Sequence, residues 1–140
     1  MAGMMPLTRE NIAQQLAAAQ GWEAKNRTLV QLARELPALP QARCVEENRV
    51  SGCESRVWLV CNWSKDGLAL EMASDSRVVQ GLLALVYACY NGQSRQDVLD
   101  LDFEAWLGEL GLNRFLSASR GSGLRAIVAR IRSCTEQIGI

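Results

Sequence analysis

The sequence contains no histidine, and that absence excludes several kinds of chemistry at once. Without an imidazole the chain has no Ser–His–Asp or Cys–His catalytic pair, no histidine-ligated zinc site and no usual general base near neutral pH. Neither sign of charge is in excess, because 15 basic residues balance 15 acidic ones. A nucleic acid or an anionic membrane surface would favour a basic surplus. We therefore expect neither of them as a partner.

Long apolar runs are also missing. The longest, Leu82–Tyr90, is well short of the roughly 20 residues that cross a bilayer. The first six residues lack the basic and apolar regions of a signal peptide. We therefore expect a cytoplasmic protein whose cysteines are reduced, and their odd number also disfavours complete pairing. These residues are Cys44, Cys53, Cys61, Cys89 and Cys134. They form no C-x-x-C pair, so we expect no metal or iron–sulfur site in this chain.

Hydrophobic periodicity predicts a single α+β domain over residues 1–140, and 49% hydrophobic residues supply a core. Alternation over Arg56–Trp63, the turn Ser64–Gly67 and a return strand through Met72 predict a hairpin. Glu47–Val50 is expected to add an edge strand. We thus expect an antiparallel sheet of about three strands, packed on one face by helices. Helices are predicted over residues 8–20, 22–36, 75–91 and 103–110, and two more are predicted to begin at Ser94 and at about Ser119–Ser122. The predicted N-caps are Thr8, Asp75 and Ser94. Trp22 and Trp58 are predicted to be packing residues.

Cys53 differs from the other cysteines in its surroundings. It lies in a polar stretch directly before a strand, where Gly52 allows a sharp turn and polar flanks favour solvent. Arg49 and Arg56 would favour its thiolate, the nucleophilic form, while Glu54 opposes it. From these residues alone, the alternative that Cys53 is an ordinary loop cysteine without a function remains open. The remaining four cysteines are predicted to be structural, since Cys61 and Cys89 in particular fall on apolar faces.

Five short blocks, in order and spread over nearly the whole chain, resemble the SufE/CsdE family of sulfur-acceptor proteins. They are Trp22–Glu23 with Lys25, Leu36–Leu39, Ser51–Trp58, Ser74–Asp75 with Val79–Leu82, and Leu116–Leu124. Two positions depart from the family pattern: Met72–Ala73 replaces a usual Gly-Asp, and Asn26 replaces an aromatic residue. These departures concern partner choice, and the SufE and CsdE branches are not distinguished.

The resemblance implies a fold similar to the scaffold protein IscU without its metal ligands. It also implies that Cys53 takes persulfide sulfur from a cysteine desulfurase, stimulates that enzyme and passes sulfur to an iron–sulfur cluster scaffold or another sulfur-accepting protein. No cofactor is then expected beyond the covalent persulfide, because pyridoxal phosphate belongs to the desulfurase. The chain is expected to be a monomer or weak dimer. Supporting residues around the acceptor are Ser51, Gly52, Glu54, Asp75 and Arg120.

Two other functions remain open from the sequence. In one, Cys53 and Cys44 form a reversible disulfide in a redox-regulated thiol protein. In the other, the chain binds a desulfurase and stimulates it without carrying sulfur. Persulfide transfer needs only one accessible cysteine here and a partner that supplies the second, so it agrees with the lack of histidine.

Overall fold

The computed structural model describes residues 7–37, 39–50, 56–112 and 118–136, without the side chains of residues 118–122. Within these ranges the chain forms α-helices and one antiparallel hairpin, which confirms the predicted α+β class. Two single-turn 3-10 helices, Gln41–Arg43 and Glu46–Asn48, lie between the second helix and the hairpin. The larger elements are α1 (Arg9–Ala18), α2 (Gly21–Ala33), β1 (Val57–Ser64), β2 (Gly67–Ser74), α3 (Arg77–Tyr90), α4 (Arg95–Asp100), α5 (Phe103–Glu109) and α6 (Ala118–Glu136).

The predicted hairpin is confirmed, with its turn where the sequence predicts it. Strand β1 pairs with β2 from Val57 opposite Ser74 to Ser64 opposite Gly67. Gly67 has a φ of +107°, and a Cβ at this position would lie 2.8 Å from the carbonyl oxygen of Gln93. The turn therefore needs glycine both for its backbone angle and for this close approach. The alternation predicts an inward face that also includes Cys61 and Trp63, and these two side chains are half-buried. The other members of that face are buried: Val57, Leu59, Leu68, Leu70 and Met72.

The predicted third strand at Glu47–Val50 is wrong. Glu46–Asn48 forms a 3-10 turn, and only Arg49 makes an isolated antiparallel bridge, with Trp58. The turn takes the backbone N–H groups that a strand would pair, since the N–H of Arg49 donates to the carbonyl of Glu46 at 3.1 Å. The sheet in the described part of the chain therefore has two strands.

Helix α3 is the centre of the core, as its apolar sequence predicts. Its residues from Gly81 to Val86 are all buried. Gly81 lies against the backbone of Leu29 in α2, and a Cβ here would overlap the Leu29 carbonyl oxygen. The two helices thus approach each other at a distance that only glycine permits. Helix α3 also packs on β2, so it joins the helical layer to the hairpin.

Helix α2 differs from its prediction at both ends. It stops at Ala33 rather than Leu36, consistent with Pro37 disfavouring helical backbone in the preceding residue. Leu36 is nevertheless buried, at 5% exposure. Trp22, predicted to pack, is 62% exposed. It lies seven residues before Leu29, and thus about 10 Å along the helix from the contact with α3.

Two of the three predicted N-caps are confirmed, at Thr8 and Ser94. The third is wrong, because Ser76 rather than Asp75 caps α3. The Ser76 hydroxyl accepts a hydrogen bond from the N–H of Val79 at 3.3 Å. Asp75 precedes the cap by one residue and makes a different contact, described below. No helix in the described ranges is both long and apolar enough to cross a membrane.

Candidate functional site

The predicted acceptor segment, residues 51–55, lies outside the described residues. The assignments of Ser51, Gly52, Cys53 and Glu54 therefore stay predictions. What the structure describes is the pair of chain ends on either side of this segment. We call these ends the stem, which consists of residues 49–50 before the segment and residues 56–57 after it.

The two sides of the stem are hydrogen-bonded to each other. The N–H of Val50 donates to the carbonyl of Val57 at 2.9 Å, and Arg49 bridges Trp58 one step further from the segment. Both Val50 and Val57 are buried, at 4% and 0% exposure. The chain therefore enters and leaves residues 51–55 at neighbouring points of a packed surface. Trp58, predicted to pack beside the loop, is half-buried at this position.

Asp75 fastens the second side of the stem. Its Oδ1 accepts a hydrogen bond from the N–H of Arg56 at 3.1 Å, and its own N–H donates to the carbonyl of Arg56 at 3.3 Å. Both polar groups of the Arg56 backbone are thus satisfied by one residue. This contact explains why an aspartate stands just before the helix cap, and it places Asp75 next to the predicted segment. Its part in sulfur transfer stays a prediction.

Arg130 of α6 fastens the first side of the stem, a role that sequence reasoning missed. Its Nη1 donates to the carbonyl of Arg49 and its Nη2 to the carbonyl of Glu47, each at 3.3 Å. The residues that meet here are more than 80 positions apart. Helical periodicity shows that Arg130 adjoins an apolar stripe, but it does not identify the carbonyl groups that the guanidinium meets.

Arg120, the other predicted supporting residue, lies in the first turn of α6. Its side chain is outside the described part of the structure, so its predicted position near the acceptor stays untested. The backbone places it ten residues before Arg130 on the same helix, about 15 Å along the axis. Helix α6 therefore carries both this residue and the contact to the stem.

The four described cysteines differ from one another in their surroundings. Cys89 is fully buried, and burial raises the pKa of its thiol to about 12. Burial likewise raises the pKa of Cys61 far above its usual range, with the neighbouring Cys134 adding to the shift and the Arg130 guanidinium opposing it. Both thiols are therefore poor nucleophiles at neutral pH. Cys44 is half-buried, and its thiol donates to the carbonyl of Pro40 at 3.7 Å.

Metal chemistry finds no support in the described ranges. No group of three or more cysteine, aspartate or glutamate side chains comes together there in a way that could hold a metal ion.

Comparison with known proteins gives consistent results. Residues 10–135 match the family model for SufE, described as an Fe-S metabolism associated domain. An uncharacterised SufE-like protein of Rhizobium meliloti is 34% identical over 131 residues, which cover 91% of this chain and 94% of that protein. Another, of Rhizobium etli, is 38% identical over 115 residues, which cover 79% and 78%.

A solved structure shares the fold. The solution structure of a hypothetical protein from Thermus thermophilus superposes with a TM-score of 0.74 and covers 96% of this chain and 97% of that one, at 20% identity. The family model spans nearly the whole chain and includes both sides of the stem. The chain belongs to the SufE family, whose domain is associated with iron–sulfur metabolism.

Proposed function

We propose that this protein accepts sulfur from a cysteine desulfurase as a persulfide on Cys53 and passes it on for iron–sulfur cluster assembly. Family membership supports the metabolic setting. The choice of Cys53 rests on its place in the family-like block Ser51–Trp58 and on the stem on either side of it.

The observation that supports the proposal most directly is that hydrogen bonds hold both sides of the stem. Val50 and Val57 pair with each other, while Asp75 and Arg130 tie the two sides to the rest of the molecule. Three residues of extended chain reach about 11 Å at most, so chain length alone keeps Cys53 that close to Val50. A short segment held at both ends is well suited to present one thiol to a partner while the fold around it stays intact.

The reaction itself is a thiol exchange that needs no histidine. The Cys53 thiolate attacks the terminal sulfur of the persulfide on the desulfurase cysteine. A new sulfur–sulfur bond forms on Cys53, the old one breaks, and the desulfurase cysteine leaves as a thiolate. Arginines at the stem, Arg49, Arg56 and Arg130, favour the anionic form of a nearby thiol. Delivery is the same kind of reaction: a downstream acceptor thiolate attacks the terminal sulfur of the Cys53 persulfide, and Cys53 leaves as a thiolate.

Two of the other cysteines, Cys61 and Cys89, are poor candidates for the acceptor. Cys89 is inaccessible, and the high pKa values of Cys89 and Cys61 keep both thiols protonated at neutral pH. Neither is placed to attack a persulfide on another protein. Since no cofactor has a role in thiol exchange, pyridoxal phosphate is needed only in the desulfurase that generates the persulfide.

Mass spectrometry after incubation with a cysteine desulfurase and free cysteine tests the proposal. We expect a gain of about 32 Da, the mass of one sulfur atom, on the peptide that contains Cys53. The Cys53→Ser variant should neither gain this mass nor stimulate the desulfurase, while its free energy of unfolding changes by less than about 0.5 kcal/mol. Cys44→Ser is the matched control and should load normally.

Other outcomes distinguish the alternatives. Loss of about 2 Da with a Cys53–Cys44 linkage would indicate the redox-regulated protein. Stimulation of the desulfurase without any change in mass would indicate a binding module. Full loading of the Cys53→Ser variant would show that another cysteine is the acceptor.

A further inference from the structure

We draw no further inference here: the strongest candidate, the surface patch at the turn between α1 and α2 that exposes Ala17, Ala18 and Trp22, carries none because nothing in the structure shows what covers it.

Discussion

Removing the Arg130 guanidinium while keeping the length of the side chain tests whether α6 holds the stem. Arg130→Met deletes both hydrogen bonds to the carbonyls of Arg49 and Glu47 and retains an apolar side chain of similar reach. The carbonyl groups left behind lie at or near the surface, so water can partly replace the lost donors. The change therefore isolates the contact between α6 and the stem.

The size of the effect follows from the geometry. Hydrogen bonds to a charged donor are usually worth about 1.5–3 kcal/mol, but at 3.3 Å and with partial exposure these two belong below that range. Together they should stabilise the closed stem by about 1–2 kcal/mol. The equilibrium constant for local opening of the stem should then be about 5- to 30-fold larger in the variant than in the wild type.

Amide exchange at Val50 is the assay, because its N–H bonds directly across the stem. Arg125→Met is the matched control: it removes the same group from the same helix, where Arg125 pairs with Glu104 in solvent and touches no stem residue. We expect faster exchange in Arg130→Met and the wild-type rate in Arg125→Met. Equal rates in wild type and Arg130→Met, or equal acceleration in both variants, would refute the role given to Arg130.

Three further predictions test other parts of the structure. Ser76→Ala should cost about 1 kcal/mol of unfolding free energy by removing the α3 cap. Asp75→Ala, which removes the acceptor for the N–H of Arg56, should mainly speed amide exchange at Arg56. The opposite ranking of the two variants in urea unfolding would show that Asp75 is the cap. Burial raises the pKa of Cys89 from 9.0 to about 12, so the stability it contributes is complete below about pH 9 and is lost as the pH rises toward 12. Urea unfolding at several alkaline pH values should show this decline, and an equally steep decline in Cys89→Ala would contradict it. Gly81→Ala should cost at least about 2 kcal/mol because its Cβ meets the α2 backbone, and an unchanged melting temperature would argue against that contact.

Much of the fold could be predicted because its signals are local. The hairpin follows from alternation and a glycine turn, and the central position of α3 follows from its nearly uniform apolar surface. The caps at Thr8 and Ser94 follow from hydroxyl side chains directly before helical periodicity. Each of these features depends on residues a few positions apart, which a single sequence displays.

The wrong predictions concern positions where the sequence leaves more than one local arrangement open. Glu47–Val50 is predicted to be an edge strand, yet the 3-10 turn Glu46–Asn48 takes up the N–H of Arg49. Asp75 and Ser76 are both good caps, and the choice between them depends on Arg56, which binds the aspartate. Trp22 is apolar, but the neighbouring helix does not extend to it.

The site was predictable only in part, for the same reason. Family motifs point to Cys53, and they also single out Asp75, which proves to contact the stem. The contacts of Arg130 with the carbonyls of Arg49 and Glu47 join positions far apart in the chain. Nothing in the sequence around Arg130 reveals these partners.

The fastened stem has a consequence for how such a protein can diversify. The hydrogen bonds described for the stem join Val50 to Val57, Arg56 to Asp75 and Arg49 to Arg130, so both partners of each bond lie outside residues 51–55. Substitutions there are expected to alter partner choice or reactivity at little thermodynamic cost. A library randomised around Cys53 should therefore yield mostly folded proteins, and selection among them would act on recognition rather than on stability.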